Sequence, residues 1–398
     1  MEKDVLVIGH FTSDFDGAGN NRFNYLVDLL SKYPFDVELV TSDFSHSKKI
    51  KRERIQDFDF KLTYLREPLY KKNISLKRIY SHYILGENLK RYLNYRKKPD
   101  IIYCAVPSLN VAKVAADYAK KNRIKFVIDV QDLWPEAFKM LIKIPLLSDV
   151  IFYPMKRKAD HIFKLADEII AVSDTYAHRA KKVNFKCDTA HTIFLGTELS
   201  FFDRVAQENK IQNKPDNEIW LAYVGTLGHS YDLTSVMEAL YILKGRGIDN
   251  IKFIVMGDGP LKKKFEENAN KLGIYTKFTG RLDYSKMAGL LYSCDIAVNP
   301  ISKGAAQSII NKHGDYAAAE LPVLNTQECS EYRWLVDEYK MGLNCKNNDP
   351  KDLSTKLLKL YEDKPLRKAL GKNSRKLAED KFDRSHTYRK IVEIINGV

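Results

Sequence analysis

CDIAVNPISKGAAQSIINKHGDYAAAELPVL, residues 294–324, holds a complete strand–loop–helix–strand unit. The apolar run 296–298 predicts a buried strand, and 299–304 the loop leaving its carboxyl end. Residues 307–319 predict the first turns of a helix, and 322–324 the next strand. In open parallel sheets ligands sit beyond the carboxyl ends of strands, and anions sit at helix N-termini. The amides of Ser308, Ile309 and Ile310 are therefore placed to face a phosphate, with Lys312 beside them. Gln307 and Asp315 lie about two turns apart at ~3.6 residues per turn, so they share one helix face. That spacing suits a carboxylate gripping a ribose diol. A plain strand–loop–helix unit with solvated polar residues has the same pattern, so the decision rests on the rest of the chain.

The pattern recurs on both sides of this stretch. VLVIGH (5–10), DVELVT (36–41), IIYCAV (101–106), KFVIDV (125–130), EIIAVS (168–173) and TIFL (192–195) alternate with helical segments such as 20–32 and 111–121. WLAYVG (220–225), KFIVMG (252–257), YTKFTG (275–280), DIAVNP (295–300) and PVLN (322–325) repeat it. Short apolar strands separated by amphipathic helices predict α/β architecture with doubly wound parallel sheets. At 398 residues the chain exceeds the ~250–300 that one core accommodates, so two domains are expected. Residues 1–196 form the first, and 197–218, polar and without sustained period, the linker. Residues 219–381 form the second, and 382–398 a closing helix that returns to the first. Two such sheets facing each other would enclose a cleft between their carboxyl edges.

Composition narrows the function. The chain is 44% hydrophobic and 29% charged, as in water-soluble globular proteins. No run approaches the ~18 apolar residues of a membrane span. Glu2, Lys3 and Asp4 before the first strand argue against a secretory leader. The five cysteines (Cys104, Cys187, Cys294, Cys329, Cys345) are odd in number and lack CxxC spacing, so a cytosolic chain without a structural metal is expected. The net charge of +14 is concentrated: residues 44–98 hold 16 Lys/Arg against 5 Asp/Glu, interleaved with tyrosines and leucines. Such a surface serves nucleic acid, an anionic membrane or an anionic substrate, unless it is merely solvated. No nucleic-acid reading module is recognisable. A second basic–apolar segment, 139–164, suits either a membrane interface or packing between domains.

Four strand-end motifs carry the chemistry. DGAGNNR (16–22) frees backbone amides but departs from GxGxxG, which excludes a nicotinamide or flavin fingerprint. VGTLGHSYDL (224–233) places Gly225 and Gly228 between strand and helix, with Thr226, His229 and Ser230 as donors. GDGP (257–260) puts proline at a first helical position. DVQDLWPE (129–136) gathers Asp129, Gln131, Asp132, Trp134 and Glu136 at a strand end. A carboxylate there orients a hydroxyl or accepts its proton, or else Asp132 caps a helix begun at 133–136. His10 and His229 follow strand ends, His161 and His191 read as structural, and no Ser/His/Asp arrangement is visible.

Together these motifs resemble glycosyltransferase family 4 over nearly the whole chain, which implies a GT-B fold: two Rossmann-like domains facing across a cleft. Gly17 and Gly19, followed by Arg22, resemble that family's phosphate-side loop. DVQDLWPE resembles the version in bacterial capsule and O-antigen transferases, with Gln131 where many relatives carry histidine and Asp132 keeping the acid. VGTLGHSYDL, GDGP and TGRLDYSKMAGLLYSCDIAVNP match the donor domain in order, and FDRSHTYRKIVEIING its closing helix. Gln307 and Asp315 stand where the family often has two glutamates; Thr226 and Tyr231 replace its common Arg and Lys.

The resemblance implies a retaining, metal-independent glycosyltransferase of bacterial surface-polysaccharide assembly. Its donor would be a UDP-linked sugar, N-acetylated sugars included, and its acceptor lipid-diphosphate-linked or a saccharide. Asp132 and Lys312 are the expected catalytic residues. Gly17, Gly19, Thr226, Gly228, Arg281, Gln307, Ser308, Ile309, Ile310 and Asp315 would hold the nucleotide sugar, and Gln131 and Trp134 the acceptor. No cofactor, metal or nucleic acid is expected, and the place is the inner face of the cytoplasmic membrane. A nucleotide-sugar epimerase of similar fold and a non-catalytic nucleotide-sugar-binding protein are the alternatives.

Overall fold

Val5, Leu6 and Val7 are fully buried, as are Ile102, Tyr103, Val127 and Ile128. Strands apolar on both faces can be covered only between two helical layers, so they pair in parallel. A computed structural model of the chain describes residues 2–14, 21–53, 58–73, 75–139, 145–305 and 308–397. These divide into two units, the first holding 2–14, 21–194 and 386–397, the second 195–385.

In the first unit the strands are β1 (Lys3–Ile8), β2 (Phe35–Ser42), β3 (Phe44–Ser45), β4 (Ile50–Lys51), β5 (Lys61–Leu65), β6 (Ile101–Val106), β7 (Lys125–Val130), β8 (Glu168–Ala171) and β9 (Ala190–Thr192). β3 and β4 form a small antiparallel pair, and the others a seven-stranded parallel sheet ordered β5-β2-β1-β6-β7-β8-β9. In the second unit β10 (Ile219–Val224), β11 (Ile251–Met256), β12 (Thr276–Gly280), β13 (Ile296–Asn299), β14 (Val323–Asn325) and β15 (Gly342–Asn344) order as β12-β11-β10-β13-β14-β15. Both sheets follow the doubly wound Rossmann order, which reverses between β1 and β6 and between β10 and β13. The α/β, two-Rossmann fold class expected from the sequence is the one observed.

Several local expectations need correction. The stretch 197–218 contains a helix, Leu199–Asn209, whose Leu199, Phe202, Val205 and Ala206 are buried. Its apolar residues fall at helical spacing, but its many polar residues mask the period. β5 and β15 are short strands that apolar pattern did not reveal; β5 is only half-buried, as an edge strand is. TIFL (192–195) is displaced, since β9 ends at Thr192. In the decisive stretch the helix runs Asn311–Ala318, so residues 308–310 belong to the loop before it.

Candidate functional site

At the carboxyl edge of the second sheet, two loops interlock backbone to backbone. Gly257 has φ +154°, and a Cβ there would fall 1.8 Å from the Gly225 carbonyl oxygen. A Cβ on Gly259 would fall 2.4 Å from the Leu227 carbonyl oxygen. Only glycine permits that approach. The Leu227 amide donates to the Asp258 carbonyl at 2.9 Å, and the Leu261 amide to Leu227 at 3.0 Å. Of the expected donor-wall residues, Thr226 is exposed, Gly228 is half-buried and Arg281 is exposed just beyond β12. The Thr226 carbonyl accepts from the Tyr223 hydroxyl at 2.8 Å.

Lys312 lies on the first turn of the helix Asn311–Ala318 and is 5% exposed. Its Nζ has no hydrogen-bond partner among the described residues. It sits 4.4 Å from the Tyr223 ring centroid and 4.1 Å from that of Tyr231. Burial pushes its pKa well below the ordinary lysine value. A buried amine without an anion is costly, and strained chemistry of this kind marks candidate functional sites. The next residue, His313, is stacked on Tyr332 with ring centroids 3.6 Å apart. Its Nδ1 accepts the Ile310 amide at 3.3 Å, so that amide is engaged within the chain, contrary to the expectation for residues 308–310. Ile309 is buried, and Ser308 donates through Oγ to Glu331 at 2.9 Å. Asp315 is buried, and its Oδ1 accepts from Tyr284 at 2.8 Å and from Thr197 at 3.3 Å. Gln307, Gly17 and Gly19 lie outside the described residues.

Sequence reading missed what holds this loop in place. Asn299, Asn325 and Asn344 end three neighbouring strands in register. Asn299 Nδ2 donates to Asn325 Oδ1 at 2.9 Å, and Asn325 Nδ2 to Asn344 Oδ1 at 2.8 Å. Asn299 Nδ2 also donates to Gln327 Oε1, and Gln327 Nε2 to the Ser308 carbonyl at 2.8 Å. The available signal was the asparagine closing each of AVN, VLN and GLN.

At the carboxyl edge of the first sheet, residues from four strand ends converge. Asp129, read as part of a reactive carboxylate group, is fully buried and paired with Arg22 through two bonds, at 2.8 and 2.9 Å. Arg22 also donates to Tyr388 at 2.6 Å. Burial opposes the Arg22 charge, but Asp129 and its neighbours outweigh it and raise the pKa. This pair is structural. Gln131 donates to Asp129 at 2.8 Å. Asp132 accepts from its neighbour Leu133's amide at 2.9 Å and from Trp134 Nε1 at 3.2 Å, and burial raises its pKa. The short helix here starts only at Glu136, so Asp132 does not cap it.

Trp134 stacks on His82 at 5.9 Å, with Arg78 5.1 Å from its ring and Phe11 at 6.2 Å. Behind them His10 Nε2 contacts Glu67 Oε2 at 2.9 Å, while Ser42 and Ser81 donate to the same carboxylate at 2.5 and 2.6 Å. Burial would raise the Glu67 pKa; His10 and these hydrogen bonds hold it at about 2. Burial, then His10 and Arg78, push His82 down to about 2, and burial takes His46 to about 3. Among the described residues His10, Glu67 and His82 could hold a metal, with ligand atoms within 4.8 Å of one another. Glu67 is already hydrogen-bonded by two serines, and Arg78 Nε stands 3.4 Å from His82 Nε2. That guanidinium occupies the cation's side. Of this cluster only His10 and Trp134 drew notice in the sequence; Glu67, Arg78 and His82 sit in a segment whose basic charge hid them.

Residues 205–377 match the family described as glycosyl transferases group 1. The second unit carries a glycosyl transferases group 1 domain. Thr226, Gly228, Arg281, Ser308, Lys312 and Asp315 all lie inside it. An uncharacterized glycosyltransferase of Methanocaldococcus jannaschii is 27% identical over 239 residues, 58% of this chain and 59% of the relative. Capsular polysaccharide biosynthesis glycosyltransferase CapM of Staphylococcus aureus is 23% identical over 93% of this chain and 92% of its own. A Campylobacter jejuni enzyme named as an alpha-1,4-N-acetyl-D-galactosaminyltransferase acting on a diNAcBac-PP-undecaprenol-linked disaccharide is 22% identical over 79% of this chain and 80% of its own. Three of the curated relatives are matched over less than two thirds of their length, 57 to 61%. Anabaena HepE, solved in complex with UDP, superposes with TM-score 0.72 at 14% identity over 100% of both chains, a likeness of fold. The group 1 domain thus coincides with the unit that holds the buried lysine.

Proposed function

We propose that this chain is a retaining glycosyltransferase of bacterial surface-polysaccharide assembly. It moves a sugar, an N-acetylated one included, from a UDP-linked donor to a lipid-diphosphate-linked or saccharide acceptor. The observation that carries the reading is Lys312: a buried amine with no hydrogen-bond partner among the described residues, at the carboxyl edge of the group 1 domain. A donor diphosphate supplies the missing anion. The first amides of the helix Asn311–Ala318 add their share of the macrodipole. As the sugar–oxygen bond breaks, negative charge grows on the leaving diphosphate, and Lys312 stabilises it where water is excluded. This cation takes the place of a metal. Attack comes from the face the diphosphate leaves, and that diphosphate takes the acceptor proton. Asp315, steadied by Tyr284 and Thr197, holds the ribose, while Asp132 and Trp134 meet the acceptor. The names of the capsule and N-acetylgalactosaminyl relatives support the substrate classes, and the UDP in HepE supports the base.

The test is calorimetric titration of UDP and GDP into wild type, Lys312→Met and Asp315→Ala. UDP binding lost in the first and weakened in the second supports the reading; folded wild type that binds neither nucleotide overturns it.

A further inference from the structure

The helix Leu76–Tyr95 has two working faces. Inward it sends Arg78, Ser81 and His82 to the Glu67–Trp134 cluster and packs Leu85, Leu89 and Leu93 into the core. Outward it presents Leu76, Ile79, Tyr80 and Tyr83, at 83, 61, 59 and 54% exposure. Their spacing of i, i+3, i+4 and i+7 makes them a continuous stripe over two turns. In a water-exposed helix that stripe should be polar; four large apolar side chains there are surface left for a partner.

Charge says which partner. Between Glu67 and Glu87 the chain has no acidic residue, and exposed Lys71, Lys72 and Lys77 flank the stripe. The helix Pro145–Leu165 packs on the helix Leu109–Asn122, as Leu76–Tyr95 does, so all three share one layer. It adds exposed Val150, Ile151 and Tyr153, followed by Lys156 and Arg157. Bulky apolar residues with tyrosine, bordered by lysine, match the depth profile of a bilayer interface: apolar groups below the headgroups, amines at the phosphates. We infer that the outward stripe of Leu76–Tyr95 docks the first unit on a bilayer with anionic headgroups. Because one helix carries the stripe and Arg78 and His82, docking holds the cluster at headgroup level. The inference rests on the transferase reading only for why a lipid-linked acceptor would be sought there.

The experiment is co-sedimentation of the full chain with vesicles of phosphatidylglycerol and phosphatidylcholine, against phosphatidylcholine alone, at low and high salt. Binding to the anionic vesicles that high salt removes is expected. Ile79→Ser with Tyr83→Ser should weaken it ~10-fold or more, through lost apolar insertion. Neutralising Lys71, Lys72 and Lys77 to glutamine should weaken it ~100-fold, at ~1 kcal/mol per charge near the surface. UDP binding, measured on the same preparations, should be unchanged, which separates failure here from failure of the transferase reading. Wild type that ignores anionic vesicles at low salt, or variants that bind like wild type, would overturn the inference. So would a concentration-dependent dimer abolished by the serine pair, which would give the stripe to a second copy.

Discussion

Lys312 is a residue buried at a cost to stability. Its ammonium is buried between two tyrosine rings, and those contacts recover only part of the hydration it gave up. Methionine fills similar space without a charge. Lys312→Met is therefore expected to stabilise the ligand-free protein by about 1–3 kcal/mol, a rise of several degrees in melting temperature. On the proposed reading UDP should raise the wild-type melting temperature, and the same substitution should abolish that rise; melting curves with and without UDP read both. A proton linkage follows from the same burial. Burial holds Lys312 with a depressed pKa, and on the proposed reading a bound diphosphate would raise it again. UDP binding should then take up a proton and weaken as pH rises between the two values. Calorimetry in buffers of different ionisation enthalpy measures that uptake, and Lys312→Met should remove it. In the first unit, Glu67 is held at about 2 against an ordinary 4.5, so its stabilisation, full above the ordinary value, is lost as pH falls toward 2. His82 and His46, at about 2 and 3 against 6.5, resist protons that the unfolded chain accepts. All three act in one direction: stability falls as pH drops below ~6.5. Urea midpoints followed by tryptophan fluorescence should show that decline, and His82→Gln should flatten it between pH 6.5 and 4.5.

At the scale of elements, the second sheet's working edge depends on two loops that only glycine allows to touch. Gly257→Ala adds a methyl group where 1.8 Å is available and asks alanine for φ +154°. A loss of more than ~3 kcal/mol is expected, read as a fall in denaturation midpoint, because neither loop can retreat without breaking the Leu227–Asp258 bond. The asparagine ladder makes a softer prediction. Gln327→Leu removes the donor to the Ser308 carbonyl and the acceptor for Asn299, so UDP affinity should fall more than stability does. The sequence showed most central strands nearly to the residue, since IIYCAV and KFVIDV are apolar on both faces and bounded by turns. It did not show β5, whose half-buried edge position leaves no continuous apolar run. Lys312 was singled out in the sequence because, in the helix expected over 307–319, it follows the amides of 308–310 at the carboxyl end of a strand. The ladder and the Glu67–His82 cluster were not, because their partners lie 14 to 57 residues apart in sequence, on separate strand ends or on a helix.

For the whole molecule, what matters is that the last helices complete the first sheet's core. Residues 386–397 belong to the first unit although 195–385 intervene in sequence. Ile391, Val392, Ile394 and Ile395 are buried with Val5, Leu26 and Tyr103 in one core. The helix is pinned by polar contacts as well: Tyr388 accepts from Arg22, the Ile394 carbonyl from Lys125 at 2.5 Å, and the Asn396 carbonyl from Lys3 at 3.1 Å. Two substitutions weigh these contacts. Tyr388→Phe removes one of four hydrogen bonds to a guanidinium still paired with Asp129, at about 1–2 kcal/mol. Asp129→Ala leaves that guanidinium buried without its counter-charge, at about 3–5 kcal/mol. Truncation after Ser385 goes further, since it uncovers β1 and the helix Arg22–Leu30 along their apolar faces. Amide exchange in β1, β6 and β7 should then approach that of a locally open chain, while β10, β11 and β13, whose core holds none of the deleted side chains, keep their protection. Equal loss in both units would mean that the C-terminal helix supports more than the core it completes.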